Sequence, residues 1–277
     1  MRTISVTLRN TDKLSDLSTL IAMLGSIGFD SFQEEDDQLT AFVAPDQFVK
    51  EDLDSLLGLE AFREVKVAQI DLLPDQNWNS IWESSYQPVT IGGRCGVRAP
   101  FHLPVAGIEF DLVIEPRMSF GTAHHETTSM MIRLLLETNL KGKSVLDMGC
   151  GTAILAILAS KLGAGLVIGI DNDDWAVSNA LDNIHLNNTP QIEILKGDAG
   201  LLHDKVVDVF LANINRNILL NDMEHYDKSI NQHGRLIISG FYESDLSALQ
   251  ACAAQLGLRF DRHIVENQWT AAIFLKN

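Results

Sequence analysis

The stretch that most limits how this chain can fold is S-V-L-D-M-G-C-G-T-A, residues Ser144 to Ala153. A short apolar strand runs into Gly149 and Gly151 and then into Ile154 to Leu162, I-L-A-I-L-A-S-K-L. Those last residues are good helix formers with apolar side chains on nearly every face, so the helix is expected to be buried. Strand, glycine turn and buried helix make the first unit of a doubly wound α/β sheet. The glycines let the backbone turn sharply and come close to a ligand, while the helix start offers N–H groups to an anionic part of it.

The loop does not spell a dinucleotide site. The G-x-G-x-x-G fingerprint needs a third glycine where this chain has Ile154. Asp147 precedes Gly149 by two positions, and a carboxylate there would repel a pyrophosphate but suit a ligand carrying an ammonium group. S-adenosylmethionine, with its ammonium, carboxylate and sulfonium, meets that description. A plain turn joining strand to helix would have the same local spelling, so the assignment needs support from the rest of the chain.

A length of 277 residues and a hydrophobic content of 46% allow two domains, each with its own core. No apolar run approaches a membrane span, and M-R-T-I-S-V-T-L-R-N alternates as a strand does and not as a signal peptide does. No membrane association and a cytoplasmic location are expected. Cys95, Cys150 and Cys252 are scattered and odd in number, which fits a reducing compartment and offers no metal-ligand spacing. The formal charge of −16 lacks the basic footprint of a nucleic-acid binder and would attract a basic protein. The same acidity also serves solubility.

Residues 1–73 read as a small unit of their own. Ile4 to Leu8 alternates as a strand, and Lys13 to Ile27 has the helical period, ended by Gly28. Phe29 to Gln33 and Leu39 to Ala44 are strands about an acidic turn, Asp46 to Leu57 a second helix, and Val65 to Leu73 a fourth strand. The order βαββαβ predicts a ferredoxin-like α+β sandwich, a fold that hosts many functions; docking is the role expected of it. Residues 74–118 form a connector, in which Trp78, Trp82 and Tyr86 line one face of a short helix ended by Pro88. Packing against the next domain accounts for that aromatic face. Gly96 to Ala99 and Ile108 to Glu115 follow as strands.

Residues 119–277 form the larger domain. Phe120 to Thr128, F-G-T-A-H-H-E-T-T, opens a helix running to about Leu140 and is rich in the small and hydroxyl residues that suit a helix start closing over a ligand. The adjacent His124 and His125 point apart, which disfavours a two-histidine metal site. Beyond the glycine loop come strands at Leu166 to Ile170, Ile192 to Leu195, Val206 to Leu211 and Arg235 to Ser239. Helices are expected at Asp174 to Leu186, Ile218 to Ile230 and Ser244 to Leu256, with a closing hairpin of Arg259 to Val265 and Trp269 to Leu275. Alternating strands and helices closed by an antiparallel pair predict the seven-stranded, Rossmann-like sheet of the class I methyltransferases.

Ligands of such sheets bind beyond the carboxyl ends of the strands. Here successive strands end on Asp147 with Gly149, then Asp171, then Asp198, then Asn213. Asp171, about twenty residues beyond the glycines, suits the ribose hydroxyls. Asp198 suits the adenine amino group. Each alone also fits a cap or a turn; together they point to one crevice. Asn213 carries the chemistry in this reading. A neutral amine attacking a sulfonium methyl needs alignment and desolvation more than a strong base, and an amide oxygen can accept its N–H and stabilise the charge it gains.

The strings V-L-D-M-G-C-G-T-A-I-L-A, I-G-I-D and A-N-I-N, with W-x3-W-x3-Y-x-P at Trp78 to Pro88 and F-G-T-A-H-H-E-T-T, together resemble the PrmA-type methyltransferases. That family modifies the large-subunit ribosomal protein eleven. The resemblance covers most of the chain. It implies capture of the ribosomal protein by the N-terminal domain, repositioning through the connector, and methyl transfer from S-adenosylmethionine to lysine and N-terminal amines. A monomer is expected, and the acidic charge predicts no direct nucleic-acid binding. By motif the resemblance assigns Thr128, Gly149 and Asp171 to cofactor contact and Asn213 to the methyl-transfer end, beside Asp147, Gly151 and Asp198. The chain departs from the family pattern at Ala123, His124 and Glu126, at Ala153 in place of a third loop glycine, and at Ile214 to Asn217. Rival readings are a methyltransferase for a small-molecule amine or for another protein, an adenine methyltransferase, an NAD-dependent oxidoreductase, and a noncatalytic interaction protein. Against the adenine reading, the residues after Asn213 lack the proline and aromatic that stack a base.

Overall fold

The computed structural model describes residues 3–11, 16–73, 86–116 and 123–277. Contacts divide the chain into two compact units, Met1–Ser85 and Tyr86–Asn277. By contacts, residues from Tyr86 onward group with the larger unit. The aromatic helix expected around Trp78 and Trp82, and the segment Phe120 to Thr122, lie outside the described residues.

In the first unit, strands β1 (Thr3–Arg9), β2 (Phe29–Glu35), β3 (Gln38–Val43) and β4 (Lys66–Leu73) form one sheet in the order β2-β3-β1-β4, with all neighbours antiparallel. Val6, Leu8, Leu39, Ala41 and Val43 recur at every second residue on one face. They pack with Leu20 and Leu24 of α1 (Leu17–Ser26) and Leu53 and Leu56 of α2 (Lys50–Leu57). Asp16 caps α1 by accepting from Ser18 N at 3.0 Å. Helix α2 starts four residues later than the expected Asp46, because Val49 is still extended (φ −117°, ψ 110°).

The second unit opens with a small sheet of β5 (Val89–Ile91), β6 (Cys95–Arg98) and β7 (Phe110–Val113). Strand β5 went unforeseen because three residues ahead of a Gly92-Gly93 turn give no periodicity to read. Helix α3 (Glu126–Leu136) ends one turn before the expected Leu140.

The main sheet has seven strands. Its parallel strands are β8 (Ser144–Met148), β9 (Leu166–Asp171), β10 (Ile192–Lys196), β11 (Val207–Asn213) and β12 (Ile230–Tyr242). The hairpin of β13 (Leu258–Glu266) and β14 (Trp269–Lys276) completes it, in the order β10-β9-β8-β11-β12-β14-β13. Helices α4 (Ile154–Lys161), α5 (Asp174–Leu186), α6 (Arg216–Lys228) and α7 (Leu246–Gln255) make the crossovers. Helix α4 is buried from Ile154 through Ser160, as its all-round apolar sequence requires. Strand β12 begins five residues before the expected Arg235, since Ile230 already pairs with Val207 across a bulge. Its polar start, I-N-Q-H-G, hides that pairing from a hydrophobic pattern. Among the described residues no helix is long and apolar enough to cross a membrane.

Candidate active site

The site is built on strand register. Met148 pairs with Ile170 on one side and with Ala212 on the other. The next residues along the three strands are Gly149, Asp171 and Asn213, so these stand in one row at the carboxyl edge of the sheet. Asp171 is itself level with Lys196, and Gly197 and Asp198 follow it. Residues scattered from 149 to 213 thus meet at one sheet edge.

The glycine loop is tied to that edge. Gly149 N and Cys150 N both donate to Ile170 O, at 2.8 and 3.0 Å. Gly151 N donates to Asp171 Oδ2 at 2.9 Å, and Asp173 N to Oδ1 at 3.1 Å. Each carboxylate oxygen keeps a further lone pair with which it can accept a hydroxyl. Gly149 and Gly151 have φ of 68° and 53°, and Ala153, in place of the family's third glycine, holds the left-handed region at 60°. A Cβ on Gly149 would lie 2.4 Å from Ile214 Cγ2. The close approach that requires this glycine is therefore to Ile214, a reason the sequence did not reveal.

Asp147 corrects an expectation. It does not front the crevice: it is 1% exposed, and its Oδ2 accepts from Ala156 N in α4 at 3.2 Å. The side chain points under the loop because strand alternation turns it toward the helix N-terminus, where a carboxyl group is favoured. Burial pushes its pKa up to about 7; the Ala156 bond opposes this and the charge on Asp171 adds to it. Burial likewise holds the Cys150 thiol well above its ordinary range, helped by the charges of Asp147 and Asp171, so it is no nucleophile.

Asp198 is exposed, and its Oδ1 accepts from Gly200 N at 2.8 Å to start the turn Ala199–Leu202. Thr128, 2% exposed on the first turn of α3, accepts from Asn213 Nδ2 at 3.2 Å through its Oγ1. His125 precedes that turn as its cap, with Nδ1 3.3 Å from Thr127 N. Among the described residues no group of histidine, cysteine and carboxylate side chains could hold a metal ion.

The unusual run after Asn213 has local explanations. Asn215 caps α6, accepting from Asn217 N and Ile218 N at 3.1 and 3.2 Å, and Arg216 Nε lies 3.2 Å from Asp245 Oδ1. A cleft of about 460 Å³ is lined by Asn215, Arg216, Gly240, Tyr242, Asp245 and Trp269 among others. The Tyr242 and Trp269 rings stand 4.3 Å apart, centroid to centroid. Sequence reasoning passed over Tyr242 and Gly240. The S-G-F-Y string at the end of an apolar strand was the available signal.

A seven-stranded, mostly parallel sheet whose last strand inserts antiparallel between β12 and β13, with a glycine loop after β8, is the fold of the class I S-adenosylmethionine-dependent methyltransferases. A family model described as "Ribosomal protein L11 methyltransferase (PrmA)" matches residues 17–277, and the chain belongs to that family. A ribosomal protein L11 methyltransferase of Phocaeicola vulgatus is 44% identical over 257 residues, covering 92% of each chain. One of Bacteroides fragilis is 42% identical over 268 residues, covering 96% of this chain and 95% of its own. The crystal structure of a ribosomal protein L11 methylase from Lactobacillus delbrueckii subsp. bulgaricus superimposes with a TM-score of 0.65 at 26% identity. The match covers 69% of this chain and all, 100%, of that one. A Pyrococcus furiosus methyltransferase shares the fold, with a TM-score of 0.51 at 21% identity, over 60% of this chain and 89% of its own. The chain is thus an S-adenosylmethionine-dependent methyltransferase, and the oxidoreductase and noncatalytic readings are set aside.

Proposed function

We propose that this enzyme transfers methyl groups from S-adenosylmethionine to lysine and N-terminal amines of ribosomal protein L11, as a monomer in the cytoplasm and without direct contact to nucleic acid. The observation that carries the reading is the row formed by Gly149, Asp171 and Asn213, joined to Thr128 through the Asn213 amide. In this reading Asp171 accepts from the ribose hydroxyls, Asp198 lies toward the adenine, and the loop from Gly149 through Gly151 borders the donor. Asp147 braces the loop from beneath. The donor set fits the cofactor: carboxylates meet hydroxyl and amino donors, and no basic side chain that would suit a pyrophosphate lies among these residues.

The bound cofactor supplies an activated methyl on a sulfonium. Asn213 does the rest by position. Its amide nitrogen is held by Thr128, so Oδ1 is the atom that accepts an N–H of the incoming amine and aims the lone pair. The amine must arrive deprotonated, from an ordinary pKa of about 10.4 for lysine or about 8 for an α-amine. Its proton leaves to solvent before the attack. The cleft walled by Tyr242 and Trp269 receives the aliphatic stem and the cationic product, which aromatic faces attract. The four-stranded unit, residues 1–73, is read as ferredoxin-like, and likeness to the family gives it capture of the ribosomal protein. The net charge of −16 favours a basic partner of this kind.

Calorimetric titration with S-adenosylmethionine and NADH, followed by mass spectrometry of L11 after incubation, tests the proposal. Binding of the methyl donor alone and increments of about 14 Da on L11 are expected. Donor binding with no increment on L11, while a small-molecule amine or another protein is methylated, would refute the substrate.

A further inference from the structure

Helix α5 and its cap carry Asn179, Asn183 and Asn187 at four-residue spacing, which sets all three on one helix face. That face is interior: the three are 1%, 0% and 5% exposed. Buried amides are costly unless every polar atom is paired, so each should be matched to a partner. Asn187 Oδ1 accepts from Val113 N at 2.9 Å, and its Nδ2 donates to Val113 O at 2.6 Å. Asn183 Oδ1 accepts from Glu115 N at 2.8 Å. The two side chains therefore address alternate residues of one extended segment, as a neighbouring strand would.

Asn183 does something Asn187 does not. Its Nδ2 donates to Thr152 O at 3.0 Å and to Asn179 Oδ1 at 2.6 Å. Thr152, itself 0% exposed, lies between Gly151, whose N–H reaches Asp171, and Ala153, which holds a φ of 60°. Holding that carbonyl fixes the peptide between Thr152 and Ala153. It thereby steadies both the left-handed Ala153 and the direction of the Gly151 N–H. The left-handed region costs a non-glycine residue about 1–2 kcal/mol, and the tether adds support to that of Ala153 N, which donates to Cys150 O at 2.8 Å.

We infer that Asn183 is a positioning residue for the methyl donor, clamping the Gly149–Ala153 loop and the Val113–Glu115 segment with one buried amide. The inference rests on the reading of this loop and Asp171 as the donor site.

Asn183→Leu and Asn187→Leu separate a positioning role from a merely structural one. Both replace a buried amide on one helix face with a side chain of similar volume, and both free the 113–115 segment; only the first releases Thr152. Both variants should melt at lower temperature. Asn183→Leu alone should raise the Kd for S-adenosylmethionine about tenfold or more, with kcat at saturating donor within about threefold of wild type. An unchanged Kd in Asn183→Leu, or equal weakening in both variants, overturns the inference. If Asn183→Leu does not fold, hydrogen exchange on the wild type decides. Adding the donor should slow exchange of the Gly151 and Glu115 amides together, and no slowing at Glu115 overturns it. A wild-type protein that binds no donor overturns the donor reading itself, and the inference falls with it; binding without these effects overturns the inference alone.

Discussion

Asn213 Nδ2 donates to Thr128 Oγ1 at 3.2 Å, a bond between residues 85 positions apart. It fixes which end of the amide meets the acceptor. Thr128→Val keeps the shape and removes the hydroxyl, so the amide can rotate and Oδ1 loses its aim. The expected result is a kcat about tenfold lower, recovered in Thr128→Ser, in steady-state methylation assays. A Thr128→Val enzyme with wild-type kcat would show that the bond does no aligning.

Gly149 has two reasons to resist substitution: φ of 68°, and a Cβ position 2.4 Å from the branched Cγ2 of Ile214. Ile214 is held in place by its own N–H, which donates to Ser239 O at 3.2 Å. Gly149→Ala should therefore cost stability by about 1–3 kcal/mol and weaken donor binding, by thermal denaturation and calorimetry. An alanine variant as stable as wild type would mean the loop adjusts freely.

Much of this was legible in the sequence, for identifiable reasons. Helix α5 was expected at Asp174 to Leu186 and runs over those residues, since Asp173 is an unambiguous cap accepting from Trp175 N and Ala176 N. The carboxyl-end row was readable because strands β8, β9 and β11 each end an apolar run on a glycine or polar residue. What stayed hidden depends on contact. Which way Asp147 turns follows from pairing register and the position of α4, and neither is encoded within two residues of it. Asn179, Asn183 and Asn187 recur every fourth residue, but nothing in that spacing points to their partners at Val113 and Thr152, which are distant in sequence. The residues after Asn213 stood out in the sequence only as a departure from the family pattern; the structure gives Asn215 to a cap and Arg216 to Asp245.

Asp147 makes a pH prediction with a definite sign. Its folded pKa, pushed up to about 7 by burial, lies above the ordinary value of 3.8, so the native state holds a proton that the unfolded chain has released. The stabilisation this brings is complete below about 3.8 and is lost as pH rises through about 7. Asp147→Asn keeps an oxygen for Ala156 N and does not titrate. The melting temperature of the variant minus that of wild type should therefore increase between pH 5 and pH 8. A difference that stays constant, or narrows, would mean that Asp147 is ionised throughout.

The alignment of the acceptor amine by Asn213 is tested most directly by methyl incorporation into L11 by wild type and Asn213→Ala, at saturating S-adenosylmethionine, with donor affinity measured on the same samples. The expected outcome is a turnover about a hundredfold lower with donor Kd within about threefold of wild type. Turnover within twofold of wild type would contradict it and remove Asn213 from the chemistry.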